Sequence, residues 1–155
     1  VKRIGTWGPL LSEYRAFKHD LLDSAQSAVF TNALVRSSGP FSLAELRQAG
    51  HPYSARFPNP AYDPATINVQ SGDFRENWKK PRPVVGDDNS QAQVTNDDKK
   101  ADWLINGTKT KSGKKIMIPR PIDDAVERDS KDSVRRVERQ AVLRMERSWR
   151  KRILP

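Results

Sequence analysis

Cysteine is absent from the 155 residues, so disulfides, thiolate metal sites and cysteine nucleophiles are excluded. Histidine is scarce: His19 and His51 stand apart, neither has a second ligand at metal spacing, and no catalytic or metal role is assigned to either. No stretch approaches the roughly 18 consecutive apolar residues of a membrane span. The opening Val1-Lys2-Arg3-Ile4-Gly5 lacks the apolar core of a secretory signal, and the expectation is a soluble protein made in a reducing compartment. A phosphate-binding loop is missing too. Residues 108–115 superficially suggest one, but Gly107 and Gly113 are followed by Lys114-Lys115-Ile116, and the G-x-x-x-x-G-K-[ST] pattern is not met.

What is present is positive charge. Twenty-eight lysines and arginines against 19 acidic residues give a net charge of +9 and a pI near 10.0. That excess suits an acidic partner, either nucleic acid or an acidic protein surface, although it also keeps a protein soluble without any partner. A length of 155 residues predicts one domain with a modest core. With 35% hydrophobic residues, a mean hydropathy of −0.79 and 11 prolines, several loops must be long or ordered by a neighbour.

Apolar residues recur every three or four positions in two stretches. Leu10, Tyr14, Phe17, Leu21, Ala25, Ala28 and Val35 predict an amphipathic helix over 10–36, ended by Ser37-Ser38-Gly39-Pro40. Val126, Ser130, Val134, Val137, Ala141, Met145 and Trp149 predict a second over 121–152, acidic at its start and arginine-rich at its end, as the helix dipole favours. Between them, Ser42 and Glu45 have capping-box spacing for a short helix over 42–49 that closes at Gly50. Residues 51–64 carry Pro52, Pro58, Pro60 and Pro64, which forbid a long helix, and Tyr53, Phe57 and Tyr62 as anchors; an extended arm is expected.

Ile67-Asn68-Val69-Gln70 alternates like a brief strand, and Phe74 and Trp78 can share one side of a helical turn or strand. Residues 81–85 and 91–95 read as two strands joined through Gly86-Asp87-Asp88-Asn89. Asn106-Gly107 marks a turn, 108–115 a solvated basic loop, and Ile116-Met117-Ile118 a short strand stopped by Pro119 and Pro121. The expected class is α+β: two long amphipathic helices packed on a small antiparallel sheet, with a proline-rich arm.

Candidate chemistry is thin. The carboxylate pairs Asp87-Asp88 and Asp97-Asp98 fall in predicted turns, and Asp123-Asp124 at a helix start, so each has a structural reason. Lys109, Lys111, Lys114 and Lys115, with Arg144, Arg147 and Arg150, are the candidate contacts to DNA or to an acidic partner. The alternative for the arginines is a solvated helix face with ion pairs three and four residues apart. The aromatics sit near segment ends, which suits core and anchor roles better than base stacking.

Four segments, taken in order, carry a resemblance: Gly50-His51-Pro52-Tyr53; Ile67-Asn68-Val69-Gln70-Ser71-Gly72-Asp73-Phe74; Leu104-Ile105-Asn106-Gly107-Thr108; and Ile118-Pro119-Arg120-Pro121-Ile122 running into the last helix. Over about residues 50–150 the chain resembles the neck and tail-completion proteins of tailed bacteriophages, the superfamily that includes minor tail protein Z and related head-tail joining proteins. Ser71, Gly72 and Phe74 match that family's small-Gly-x-apolar segment, and Gly107 and Thr108, then Arg120 and Pro121, match its Gly-Thr and Arg-Pro steps. Asn106 stands where the family often has an acidic residue.

The resemblance implies an α+β fold, no catalysis and no cofactor. It further implies a virion protein, assembled in the host cytoplasm, that forms a homo-oligomeric ring, sixfold by the family's usual tail symmetry. Neighbouring neck and tail-tube proteins would be its partners, with the DNA passing through the channel as a further contact and no membrane involved. Tail completion, tail termination and a portal-side position all remain open. In such a ring, Pro52, Tyr53, Phe57 and Tyr62 are expected to lie on an adjacent subunit or neck protein. A basic nucleic-acid-binding protein is the alternative reading, and an enzyme the least supported.

Overall fold

The computed structural model describes residues 8–41, 43–48, 63, 65–67 and 72–153. Its chain order is α1 (Gly8–Arg36), α2 (Leu43–Gln48), α3 (Asp73–Glu76), β1 (Trp78–Lys79), β2 (Val84–Val85), β3 (Ser90–Gln91), β4 (Thr95–Asn96), α4 (Ala101–Asn106), β5 (Thr108–Lys109), β6 (Lys115–Met117) and α5 (Ile122–Ile153). Two long helices pack on one another beside a small antiparallel β region, a mixed α+β fold.

The helices run antiparallel. At one end Asn32 of α1 donates to Ser130 Oγ at 2.9 Å and Arg36 reaches Asp129, while at the other Tyr14 and Phe17 face Met145 and Trp149 across a groove. With 29 and 32 residues the helices are about 43 and 48 Å long. The end of α1 and the start of α5 have local causes. Ser37 and Ser38 turn their hydroxyls back onto the carbonyls of Ala33 and Leu34, at 2.7 and 2.6 Å, and Pro40 follows. On α5, Asp123 and Asp124 occupy the first turn after Pro119 and Pro121.

The core sits at one end of this pair. Ala33, Ile67, Phe74, Ile122 and Val126 form its buried cluster, with Val29, Trp78, Ala101, Leu104 and Ile105 packed around it. Phe74 and Trp78 meet edge to face, their ring centroids 5.8 Å apart. Trp78 Nε1 donates to Ser37 Oγ at 2.7 Å, so a buried hydroxyl ties α1 to β1.

Along α5 the expected face is a gradient. Val126 and Ser130 are buried, Val134, Val137, Ala141 and Met145 half-buried, and Trp149 exposed. On α1 the periodicity needs correction. Phe17, Leu21, Ala25 and Ala28 do lean inward, but Val35 is 63% exposed, and the buried residues are Gln26 and Ala33. Leu10's side chain lies outside the described residues.

The expected single sheet is three separate two-stranded ladders: β1 with β4, β2 with β3, and β5 with β6, all antiparallel. Val84 pairs with Gln91 and Val85 with Ser90 across the expected Gly86–Asn89 connection, but Thr95–Asn96 pairs with β1 instead. The physical reason is Gln26. Its amide donates to the carbonyls of Pro81, at 2.8 Å, and Gln93, taking acceptors that a longer β2–β3 ladder would use, while Pro81 and Pro83 offer no N–H. Of the predicted strand at 67–70, only Ile67 is described: it exchanges hydrogen bonds with Arg36 and Gly39. Ser42 and Gly50, expected to cap α2, lie outside the described residues.

Helix α4 was not foreseen; Trp103-Leu104-Ile105 reads as an apolar run before a turn. Asp98 starts the helix, its carboxylate accepting the Lys100 N–H at 2.7 Å, and Gly107 ends it with φ 72° and ψ 179°, a backbone region open essentially to glycine alone. A Cβ at Gly107 would stand 2.6 Å from the Met117 carbonyl oxygen and 3.0 Å from Pro119 N, whereas at Gly113, also at positive φ, nothing lies within 4 Å. Gly107→Ala is therefore expected to lower unfolding free energy by about 2–3 kcal/mol, and Gly113→Ala by about 1 kcal/mol. Chemical denaturation of both variants checks this, and equal losses would contradict the assigned role of Gly107.

Candidate assembly surfaces

The residues singled out in the sequence separate into three groups. Pro52, Tyr53, Phe57, Tyr62 and Ser71 lie outside the described residues. Those of the Gly-Thr and Arg-Pro steps converge on the junction that feeds α5. Thr108 pairs with Met117, the buried Arg120 donates its peptide N–H to Ile105 O at 2.9 Å, and Pro121 O accepts the Ala125 N–H at 3.2 Å. Gly72 precedes α3 and Phe74 enters the core. These residues hold α4, the β5–β6 hairpin and α5 together.

The third group is basic and outward-facing. Lys109, Lys111, Lys114 and Lys115 are all exposed on the β5–β6 hairpin. Its tip is a built turn: Gly113 N–H donates to Thr110 O at 2.9 Å, and Thr110 Oγ1 accepts the Lys114 N–H at 3.1 Å. Lys109 and Lys115 are direct cross-strand partners. Like charges placed opposite one another destabilise a ladder by roughly 0.2–1 kcal/mol. Among the described residues, none of these four side chains makes an ion pair or hydrogen bond.

Arg144, Arg147 and Arg150 lie on the last turns of α5, exposed and, among the described residues, likewise without ion pairs. The ion pairs seen within α5 are Arg128 with Asp129 at 3.5 Å and Arg135 with Asp132 at 4.0 Å, both nearer the core. Ion pairs of Arg144, Arg147 or Arg150 with residues three or four positions away are not found among the described residues.

Cations elsewhere are committed to the fold. Arg15 forms a bidentate pair with Asp87 at 2.8–2.9 Å, and Lys18 donates to Gly86 O at 3.0 Å; together they hold the β2–β3 turn against α1. Lys80 bridges Asp23 and Ser27, and Lys79 pairs with Asp97. Arg36 bonds Asp63 at 2.9 Å and, through Nε, Asp129 at 2.8 Å, so one guanidinium joins α1, α5 and the far end of the arm. His19 accepts from Arg82 Nε at 3.3 Å; His51 lies outside the described residues. None of these interactions carried a sequence signal, because each joins residues remote in the chain.

Burial pushes the Asp63 carboxyl up, but the Ala65 N–H, the Thr66 hydroxyl and the Arg36 charge outweigh it and leave its pKa below 3.8. For Asp129 the Arg36 hydrogen bond is the main cause of a pKa below the same value. Among the described residues no group of three or more His, Asp or Glu side chains could hold a metal ion, and no helix is long and apolar enough to cross a membrane.

A further surface feature is the groove between the outer halves of α1 and α5, about 400 Å³. Phe17, Leu21, Val137, Ala141 and Met145 line it, with Tyr14 (44% exposed) and Trp149 (41% exposed) at its outer end. Glu13 and Asp20 contribute carboxylates on the α1 side and Arg144 a guanidinium on the other. No family model, no curated protein and no solved structure matches the chain.

The Arg36 junction has a definite pH dependence. A carboxyl held below its unfolded pKa contributes stability that is complete above that value and is lost as pH falls through the folded one. Arg36→Met is therefore expected to lower the melting temperature by a constant amount between pH 7 and 5, with the difference from wild type shrinking below pH 3.8. A difference that instead widens on acidification would contradict the assignment.

Proposed function

We propose that this chain is a structural subunit of the neck of a tailed bacteriophage, joining or completing the tail at the head-tail interface as a homo-oligomeric ring. The order of the four sequence segments supports this reading. The observation that carries it is an imbalance: among the described residues six apolar side chains are buried, while eight large ones, including Leu11, Tyr14, Leu143 and Trp149, are exposed. Of these, Tyr14 and Trp149 stand together at the outer end of the α1–α5 groove, and an apolar exposed patch of that kind supports an interaction surface.

A ring closes through heterologous contacts, so each subunit presents two different surfaces. The arm supplies one and the outer helices the other. Replacing residues 51–62 with a Gly-Ser linker of equal length spares Asp63 and its bond to Arg36. The variant is expected to keep its helical circular dichroism and melting temperature while losing oligomers by mass photometry. Normal rings from it would remove the arm from the interface, and a wild-type chain monomeric at every concentration would overturn the ring itself.

A second reading, a nucleic-acid binder, is favoured by the Lys109–Lys115 juxtaposition. Changing Lys109, Lys111, Lys114 and Lys115 to Gln is expected to leave stability unchanged or raised by roughly 0.2–1 kcal/mol, while weakening assembly or genome retention in a salt-dependent way. A purified monomer that binds duplex DNA with a salt slope of about −0.9 per phosphate contacted, and loses it in the variant, would favour the second reading over the first.

A further inference from the structure

We infer that the lysine hairpin β5–β6 of one copy of this chain seats in the groove beside the first half of α5 of the next copy. The inference rests on the ring reading and names one contact that would close it. This groove, about 770 Å³, shares no residue with the one between the outer helix halves. Val29, Trp78, Val94, Val126 and Val134 give it an apolar floor, contributed by α1, β1, the residue before β4 and α5.

The rim of the groove is acidic. Asp123, Asp124, Glu127 and Glu138 line it, all exposed and, among the described residues, without ion pairs. The cations of the same rim are Arg128, Lys131 and Arg135. Arg128 and Arg135 pair with Asp129 and Asp132 at 3.5 and 4.0 Å, which leaves Lys131 against four carboxylates. Lysine suits such a surface, because its aliphatic stem lies on apolar groups while the ammonium stays at the polar edge, and an indole attracts a cation. A phosphate backbone or an acidic helix would be repelled by the same rim.

The hairpin offers the complement. Lys109, Lys111, Lys114 and Lys115 are exposed, and Lys109 faces Lys115 across the ladder, so carboxylates brought between them relieve a repulsion already present in the free chain. Thr110 holds the tip through Gly113 and Lys114, while the Thr108–Met117 pair and the bond from Arg120 N–H to Ile105 O hold the base. The lysines are therefore presented on a formed turn, and docking orders side chains without ordering backbone. The patches also match in size: Asp123, Asp124 and Glu127 fall within about 6 Å along α5, and paired strands stand about 5 Å apart.

Within its own chain the hairpin does not meet this rim, since none of its four lysines pairs with a carboxylate among the described residues. Arg144, Arg147 and Arg150 also lack ion pairs among the described residues, but Arg144 lines the outer groove beside Asp20. A hairpin and a groove are different surfaces, so their contact is heterologous and passes from copy to copy until rotation closes it.

Charge reversal in the full chain tests this. One variant changes Lys109, Lys111, Lys114 and Lys115 to Glu, a second changes Asp124, Glu127 and Glu138 to Lys, and a third carries both sets. All three are expected to keep their helical circular dichroism. By sedimentation, each single set should raise the concentration for half-assembly by about tenfold or more, and the third chain should recover it, because the attraction returns with its sign inverted. Unchanged assembly in either single set would overturn the inference and leave the ring reading standing; a wild-type chain that stays monomeric would overturn both. No recovery in the third chain, with duplex-DNA binding lost alongside the hairpin lysines, would give those lysines to nucleic acid instead. The wild-type chain supplies a second measurement that needs no substitution. Light and heavy isotope-labelled protein are mixed, assembled and treated with a carbodiimide, which condenses a lysine amine with a carboxylate and removes water. Links between residues 109–115 and 123–138 that join a light peptide to a heavy one are expected. Links confined to peptides of the same label would show the hairpin reaching its own groove, and their absence altogether would show it reaching neither; both overturn the contact between copies.

Discussion

Everything in this fold depends on two antiparallel helices being sealed together at one end only. Ala33 and Ile122 are both fully excluded from solvent, Val126 and Ser130 nearly so, and the small elements α3, β1 and α4 close over them. Farther along the pair, among the described residues, the β2–β3 turn lies against α1 through Arg15 and Lys18, and the residues that continue the apolar stripe of α5 change from buried to half-buried to exposed. Two helices alone present an apolar seam that one partner covers incompletely, and the stable arrangements of such layers add a third or fourth element. The closed end has those elements in α3, β1 and α4; among the described residues the groove end has none on the side that faces Tyr14 and Trp149.

Polar contacts fix where the closed end stops. Gln26 takes two strand carbonyls and so limits the β2–β3 ladder, and Arg15 and Lys18 pin the turn of that hairpin to α1. Arg36 does the corresponding work at the base, where it binds Asp63 and Asp129. These cations are spent inside the fold, whereas the lysines of the β5–β6 hairpin face one another without counterions among the described residues. The net charge of +9 thus does not describe one surface. Part of it is structural, and the part without ion pairs among the described residues includes both the β5–β6 hairpin, whose own stability it reduces, and the last turns of α5.

The long helices were legible because each repeats a 3.6-residue pattern for about eight turns, and their observed bounds fall within two residues of those expected. The Gly86–Asn89 connection was legible for a related reason, since turn chemistry is local. Gln26 was not: a polar side chain in an amphipathic helix reads as surface, and its burial follows from carbonyls 55 and 67 residues away in the chain. Val35 failed in the opposite sense, because the helix ends one residue later and its face has rotated away from α5. Helix α4 is six residues long, too short for periodicity to distinguish it from an apolar turn. The groove could not be anticipated either, since it consists of what the second helix leaves uncovered on the first.

The half-open core also sets a constraint on assembly. If two copies covered each other's grooves symmetrically, the contact would close at two subunits and leave the arms without a role. A contact between two different surfaces of the chain leaves one of each free at the ends, so addition continues until rotation closes it. Arg36, by binding Asp63, and the buried cluster fix residue 63 against α1 and α5 with contacts that lie wholly within the chain.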